Sequence, residues 1–456
     1  MKPALVLGAQ IIALGVVRAL GEMGVPTILF SDQAGDVAHK SRYVKEVIQV
    51  PDAEKHEDEF IEALLKQKYR FPGSLLVPSS DPLVVAIARH KARLSEHFVV
   101  SVPEWEIVSK YIEKKYTYNC AESLGVPVPK TFVPISVEDV ERYAGSIGFP
   151  CLVKPSQSHL FYDCFKRKMI PVHNLDEMIA IYWQATEHNL DVMLQEIIPG
   201  DDDTVVNYNA YAWEGRSLVE FTSRHIRNAP PWFGSPRVAL SEWIPEIIEP
   251  GRKALQSIGF YGYACTEFKR DARDGVYKLM EINGRHNRSG LLAVHCGINF
   301  PWLQYRHLMS GVTPKASNFK EGVYWVDITR DLVYSLIYCR QEKYAISAYI
   351  RPYLKPHVFA ILDSKDMKPF IVRCYFLAKQ LISRKGLLLL GRRFAECFKI
   401  GRWGKTNRLP ATPVQKFDLS GFSSKVNRKV AEVRSLANSN APVTKNVQEV
   451  TKTKYP

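Results

Sequence analysis

Several features that would argue a function quickly are missing from this chain. Its eight cysteines, at 120, 151, 164, 265, 296, 339, 374 and 397, form no CxxC pair and no Cys/His cluster at metal-ligand spacing. A disulfide framework and a structural zinc site are therefore not expected, and reduced thiols in a cytoplasmic protein are. No apolar run approaches the roughly 18 residues of a spanning helix. The first apolar stretch is broken by Gly8, Gln10 and Gly15 and runs into Arg18 and Glu22, unlike a secretion signal. The spacing Gly8…Gly15 is not GxGxxG, so no dinucleotide fingerprint is present.

The charge is present but unevenly placed. The 456 residues carry a formal charge of +14. From Ser364 to the end there are 20 Lys/Arg against 5 Asp/Glu, and before it 41 against 42. The body is neutral, so a domain-wide footprint for nucleic acid is absent and no nucleic-acid partner is expected. With 24% charged and 46% hydrophobic residues, the composition is that of a globular protein. At roughly 100–200 residues per domain, two to four domains are expected.

The opening pattern is strand, glycine turn, helix, strand. Ala4–Leu7 reads as a buried strand, Ile11–Met23 as a helix, and Pro26–Phe30 and Ser74–Pro78 as further strands. This is the start of a doubly wound α/β domain. Asp32 and Asp81 follow strand ends, where loops line ligand crevices, though helix capping is the plainer role for each. From about residue 105 the organisation becomes α+β. Glu104–Leu124 reads as one helix or two, stopped by Gly125 and the prolines beyond it. Cys151–Lys154 and Met193–Ile198 read as strands, 204–226 as a hairpin turning at Glu214-Gly215, and 265–270 with 276–282 as strands joined at Asp274-Gly275.

Three features in this region carry chemistry. Lys154 ends an apolar strand. Gln195-Glu196-Ile197-Ile198 is followed by Pro199-Gly200. Glu267 and Glu281 lie on neighbouring strands, with Asn283 two residues beyond Glu281. Residues two apart on a strand share a face, so Glu281 and Asn283 point the same way and Glu267 joins them if the strands pair. Two carboxylates and an amide oxygen suit one or two Mg²⁺ ions shared with phosphate oxygens. A surface hairpin carrying solvated acids is the plainer alternative.

The ordered set EKKYTYNCAESLGVPVP, CLVKPS, LQEIIPGDDD, TEFKRD and LMEINGR resembles the ATP-grasp superfamily over about residues 105–312, with the preceding α/β domain of its carboxylate–amine ligase branch. The resemblance implies an α/β and α+β fold, with a doubly wound domain over 1–104 and an ATP-grasp domain over 105–314; residue pattern and composition add a helical region over 315–403 and a basic, disordered tail over 404–456. It implies ATP and Mg²⁺ (or Mn²⁺) as cofactors. Lys114 and Lys154 would contact the nucleotide, and Glu196 and the backbone at Ile198 would meet adenine. Glu267, Glu281 and Asn283 would hold metal. Arg285 would stabilise the transferring phosphoryl group. Lys115 is the rival to Lys114.

Two departures from that pattern stand out. The glycine-rich flap is replaced by Ser156-Gln157-Ser158-His159-Leu160-Phe161-Tyr162, so Lys166 or Lys168 would have to supply closure. The usual proline after the final EIN is Gly284, followed by Arg285-His286-Asn287-Arg288. Arg288 is a candidate for binding a carboxylate substrate, and Arg224 and Arg227 for adding charge at the γ-phosphate. The expected partners are a small-molecule carboxylate and an amine, with a homodimer as the assembly. Two other readings stay open: a carboxyphosphate-forming enzyme, and a nucleotide-binding adaptor that has lost turnover.

Residues 313–363 are expected to complete the fold with helices. From Pro369 the pattern is apolar and basic. At 100° per residue, Phe370, Ile371, Cys374, Ala378, Leu381 and Ile382 fall on one side and Arg373, Lys379, Gln380 and Arg384 opposite. Such a helix fits a peripheral site on an anionic membrane surface; packing on the body is the alternative.

Overall fold

The computed structural model describes residues 1–382, apart from Ala34, 156–160, 162–163, 166–168, Phe233 and Lys343. It divides into two compact units. One is Met1–Pro129 with the described part of Ile198–Asn407; the other is Lys130–Ile197. The boundary expected at 403 and the segment 404–456 lie outside the described residues.

The first unit begins with strands β1 (Ala4–Leu7), β2 (Thr27–Ser31), β3 (Val44–Gln49), β4 (Leu75–Pro78) and β5 (Val99–Val100). They form a parallel sheet in the order β3-β2-β1-β4-β5. The runs ALVL and LLVP are buried throughout, as strands covered on both faces must be. Gly8 ends β1 at φ +93°, and a Cβ there would collide with the Ser79 hydroxyl. The helices Ile11–Gly21 and Asp81–Arg89 follow β1 and β4.

The same unit contains β10 (Val205–Trp213), β11 (Arg216–Ala229), β12 (Ser235–Ser241), β13 (Gly262–Arg270), β14 (Tyr277–Asn283), β15 (Tyr324–Val326) and β16 (His357–Phe359). Their sheet runs β14-β13-β10-β11-β12-β15-β16. The β10–β11 turn places Glu214 at φ 49° and Gly215 at φ 73°, the signature of a tight hairpin. The pattern expected of 313–363 was helical. Helices do span Ile328–Glu342 and Ile346–Leu354, but β15 and β16 also extend the sheet. Strands of three residues are too short to show a period of two.

Buried charge ties the late segments to the early ones. Arg18 donates to Asp366 Oδ2 (3.0 Å) and to the carbonyl of Ile361 (2.8 Å), while Asp366 accepts from the Ser41 hydroxyl (2.7 Å) and the Arg42 amide (2.8 Å). Asp331, on the helix Ile328–Glu342, receives Arg227 through two bonds of 2.9 and 2.8 Å, Arg237 at 2.8 Å and the Tyr353 hydroxyl at 2.5 Å.

The second unit carries β6 (Thr131–Phe132), β7 (Cys151–Pro155), β8 (Ile170–Val172) and β9 (Val192–Glu196), ordered β6-β9-β7-β8 with antiparallel pairing. The helices Val137–Ile147 and Leu175–Glu187 cover it, capped by the side chains of Ser136 and Asn174.

Removing Asp331 would leave two buried guanidinium groups without their shared anion. Asp331→Ala is expected to destabilise the first unit by about 3–5 kcal/mol, read as a lower denaturant midpoint of the transition that reports on that unit. An unchanged midpoint would show that the network carries no net stability.

Candidate active site

The acidic strands pair in the register that brings the two carboxylates together. Glu267 lies directly opposite Glu281, and Cys265 opposite Asn283. Directly opposed residues in an antiparallel pair have Cβ atoms about 4.5–5.5 Å apart. Glu267, Glu281 and Asn283 therefore share one face of the sheet. Asn283 Nδ2 donates to Glu281 Oε1 at 2.9 Å. The Glu281 side chain is 38% exposed, so a hydrated cation can reach it.

A lysine comes to this pair from the helix Lys114–Ser123. Lys114 Nζ lies 3.8 Å from Glu281 Oε2. The helix is fixed to β14 by the Tyr118 hydroxyl, which donates to the Met280 carbonyl at 2.9 Å. Burial pulls the Lys114 pKa down, but Glu281 foremost, then Tyr118, Glu267 and Asp81, outweigh it and hold the ammonium above its ordinary value.

Arg285 follows β14 and makes a bidentate pair with Asp81, 204 residues away. Its Nε donates to Oδ1 at 2.7 Å and its Nη2 to Oδ2 at 3.0 Å. Nη2 also donates to Asn283 Oδ1 at 3.1 Å. Burial disfavours the charge, and Asp81 more than restores it. Asp81 is the first residue of the helix Asp81–Arg89, after the N-cap Ser80. The strand-end position thus serves to aim an arginine. Gly284 is required by packing, since a Cβ there would collide with the Tyr111 hydroxyl.

The other arginines are placed differently. Arg288 Nη2 donates to Asp327 Oδ2 at 2.7 Å, and its Nε is buried with no hydrogen-bond partner among the described residues. Arg224 pairs with Glu242 at 2.7 and 2.8 Å. Arg227 corrects an expectation. It is fully buried, bound to Asp331, and stacked 4.5 Å from the Tyr349 ring centroid. Its guanidinium joins β11 to the helix Ile328–Glu342 through Asp331.

In the second unit, Lys154 is buried on β7 and donates from Nζ to Gln195 Oε1 at 2.5 Å. Glu196, at the end of β9, accepts the Lys130 amide at 2.9 Å through Oε1. Ile198 is buried two residues further on. Lys166 and Lys168, with the rest of the expected flap apart from Phe161, lie outside the described residues.

A polar floor on β10 and β11 escaped the sequence reading. Asn207 pairs in register with Glu267, and Asn209 with Cys265. Asn209 Oδ1 accepts the Tyr263 hydroxyl (2.9 Å) and Asn287 Nδ2 (3.0 Å). Asn207 Nδ2 lies 3.1 Å from His225 Nε2. The signal was present in NYNAYAW, where two asparagines alternate with buried apolar and aromatic residues. Lys269 also shares the Glu267 face, and burial pulls its pKa down against the pull of Asp202, Asp201, Glu267 and Asp271. Burial pushes the Cys265 thiol up to about 12, so it stays neutral.

The donor set fits a hard divalent cation. Among the described residues no three His, Cys, Asp or Glu side chains form a metal cluster. The site instead offers two carboxylates and one amide oxygen, an all-oxygen set of the kind Mg²⁺ shares with phosphate oxygens.

No family model matches the chain. Over 312 residues it is 26% identical to a D-aspartate ligase of Enterococcus faecium, covering 65% of this chain and 74% of that protein. It is 25% identical to a D-alanine–D-alanine ligase of Ectopseudomonas mendocina, covering 38% of this chain and 55% of that one. Its fold is similar to that of an L-amino acid ligase from Bacillus licheniformis (TM-score 0.53, 16% identity, 68% and 74% covered) and a biotin carboxylase from Campylobacter jejuni (TM-score 0.58, 16% identity, 71% and 74% covered).

Burial lowers the pKa of both His225 and His286 from 6.5 to about 4. The unfolded chain takes up these protons near pH 6.5 and the folded one only near 4. The folded state should therefore lose stability as pH falls across that window. Thermal melts of the His225→Gln, His286→Gln double variant should show a shallower loss; an unchanged slope would contradict the buried, neutral assignment.

Proposed function

We propose that this chain, an ATP-grasp protein by fold, is an ATP- and Mg²⁺-dependent ligase that activates a carboxylate as an acyl phosphate for attack by an amine. The observation that carries the reading is the Glu267–Glu281 register, with Asn283 and Arg285 following in line. The relatives named for D-aspartate and D-alanine ligation support an amino acid as one substrate. ATP as co-substrate supports work in the cytoplasm.

The substrate carboxylate attacks the γ-phosphorus of ATP. A new carboxylate oxygen–phosphorus bond forms, the β–γ bridge breaks, and ADP leaves. The amine then attacks the acyl carbon, inorganic phosphate departs, and the nitrogen loses a proton to give the amide. Glu267, Glu281 and Asn283 would hold Mg²⁺, which when bound neutralises phosphate oxygens. Lys114, kept charged by its carboxylate neighbours, contributes a mobile positive charge beside the pair. Arg285 presents a guanidinium whose orientation Asp81 fixes before substrate arrives, so little reorganisation is needed as charge develops. Arg288 is proposed for a substrate carboxylate on the strength of its unpartnered Nε. The roles of Lys154, Lys168, Glu196 and Ile198 toward the nucleotide are proposed from the resemblance alone.

The test is ADP release in a screen of amino acids as paired substrates. Metal-dependent release is expected. Glu281→Gln should abolish it. Arg285→Ala should lower it by about 100-fold, the scale on which losing one donor to developing charge is felt. Nucleotide binding without release under any substrate pair would favour the adaptor. Full activity in Glu281→Gln would remove the metal assignment.

A further inference from the structure

Exposed apolar surface is concentrated late in the chain. Among the described residues, 11 of the 23 exposed large hydrophobic side chains lie between Leu332 and Ile382, about a seventh of those residues. A contiguous apolar patch on a folded surface marks a place of contact. The helix Lys368–Ile382 shows the clearest pattern.

That helix is held to the body on one side. The residues before it are anchored by the buried Arg18–Asp366 pair. Phe370 packs into the core cluster of the first sheet, and Phe376 lies against Gly35. The helix rests on the helical turn Val37–Lys40, where the Arg373 charge acts on Asp36. Phe370, expected on the same apolar face as Ile371, is thus turned inward.

The outward face is apolar as well. Ile371 is 57% exposed, Tyr375 63% and Ile382 70%, and Ala378 is exposed between them. At 100° per residue these four positions fall within an arc of about 60°. A helix docked on a globular body ordinarily turns charge to water; this one turns a hydrophobic stripe. Lys368 and Lys379 are exposed on one flank of it. Long cationic side chains beside an apolar stripe can reach a polar headgroup layer while the stripe enters the acyl boundary. Beyond the helix the sequence continues Ser-Arg-Lys-Gly-Leu-Leu-Leu-Leu-Gly-Arg-Arg-Phe, and residues from Ser364 onward carry 20 Lys/Arg against 5 Asp/Glu.

We propose that this chain docks on an anionic lipid bilayer through the stripe Ile371, Tyr375, Ala378 and Ile382, with Lys368 and Lys379 meeting the headgroups. Charge complementarity selects this occupant. A strongly basic segment cannot neutralise itself against its own kind, so a second copy of the same face and the chain's own basic tail are both disfavoured on charge. An anionic bilayer supplies the apolar phase and the opposite charge together.

The experiment is flotation of the full chain with vesicles of equal parts phosphatidylglycerol and phosphatidylcholine, beside vesicles of phosphatidylcholine alone. Binding to the anionic vesicles should be at least about tenfold tighter, given the attraction of each basic residue near the surface, and should weaken as salt rises. The variant Ile371→Glu, Tyr375→Glu, Ile382→Glu changes only exposed positions. It should lose at least about tenfold in vesicle binding while keeping ADP release in vesicle-free solution. Equal binding to the two vesicle types would overturn the proposal. So would undiminished binding by the triple variant, competition by duplex nucleic acid for the intact chain alone, or a wild-type dimer that the variant dissolves. None of these outcomes bears on the ligase reading, which is read from ADP release.

Discussion

Two glutamates placed face to face on neighbouring strands repel each other, and positive charge must be brought to them for both to stay ionised. A directly opposed like-charge pair destabilises a sheet. Here Lys114 approaches Glu281 from one side and the Asn283 amide donates to it from another. Neither equals a divalent cation. In the proposed reading, a metal held by Glu267, Glu281 and Asn283 would add the divalent charge that this face can accept. Glu281 and Glu267, with Tyr118 and Asp81, keep Lys114 charged.

The surrounding structure holds this arrangement still. Asp81 clamps Arg285 through both carboxylate oxygens, so a residue of the parallel sheet's domain aims a residue of the antiparallel one. Asp331 collects Arg227 and Arg237, and Asp366 collects Arg18. Asp331 and Asp366 are buried and Asp81 is partly exposed, and each fixes an arginine on a distant element. Breaking such a pair leaves a desolvated charge, which is why these contacts hold geometry even where their net contribution to stability is small.

Much of this was legible in the sequence for local reasons. The hairpins turn at Glu214-Gly215 and Asp274-Gly275, where the residue types state the turn. The turn alone would set Glu267 opposite Met280; a bulge between Leu279 and Glu281 brings the two glutamates opposite each other, and nothing local in the sequence states it. The parallel strands announce themselves as short, wholly apolar runs. What could not be read depends on contacts far apart in sequence. Nothing near Asp81 says that its partner is Arg285. Nothing in SRHIRNAPP distinguishes Arg224, half-buried beside Glu242, from Arg227, fully buried beneath Tyr344 and Tyr349. The strands at 324–326 and 357–359 are too short for any period. Phe370 and Ile371 are adjacent and apolar, and only docking on Val37–Lys40 decides which faces inward.

The most direct test of the central claim is calorimetric titration of ATP into the protein with Mg²⁺ present and with the metal chelated, beside the Glu267→Gln, Glu281→Gln double variant. If the carboxylate pair exists to share a cation with nucleotide phosphates, the intact chain should bind ATP saturably only with metal, and the double variant should lose that dependence. Metal-independent binding of equal strength in both proteins would show that the pair has no part in holding the nucleotide.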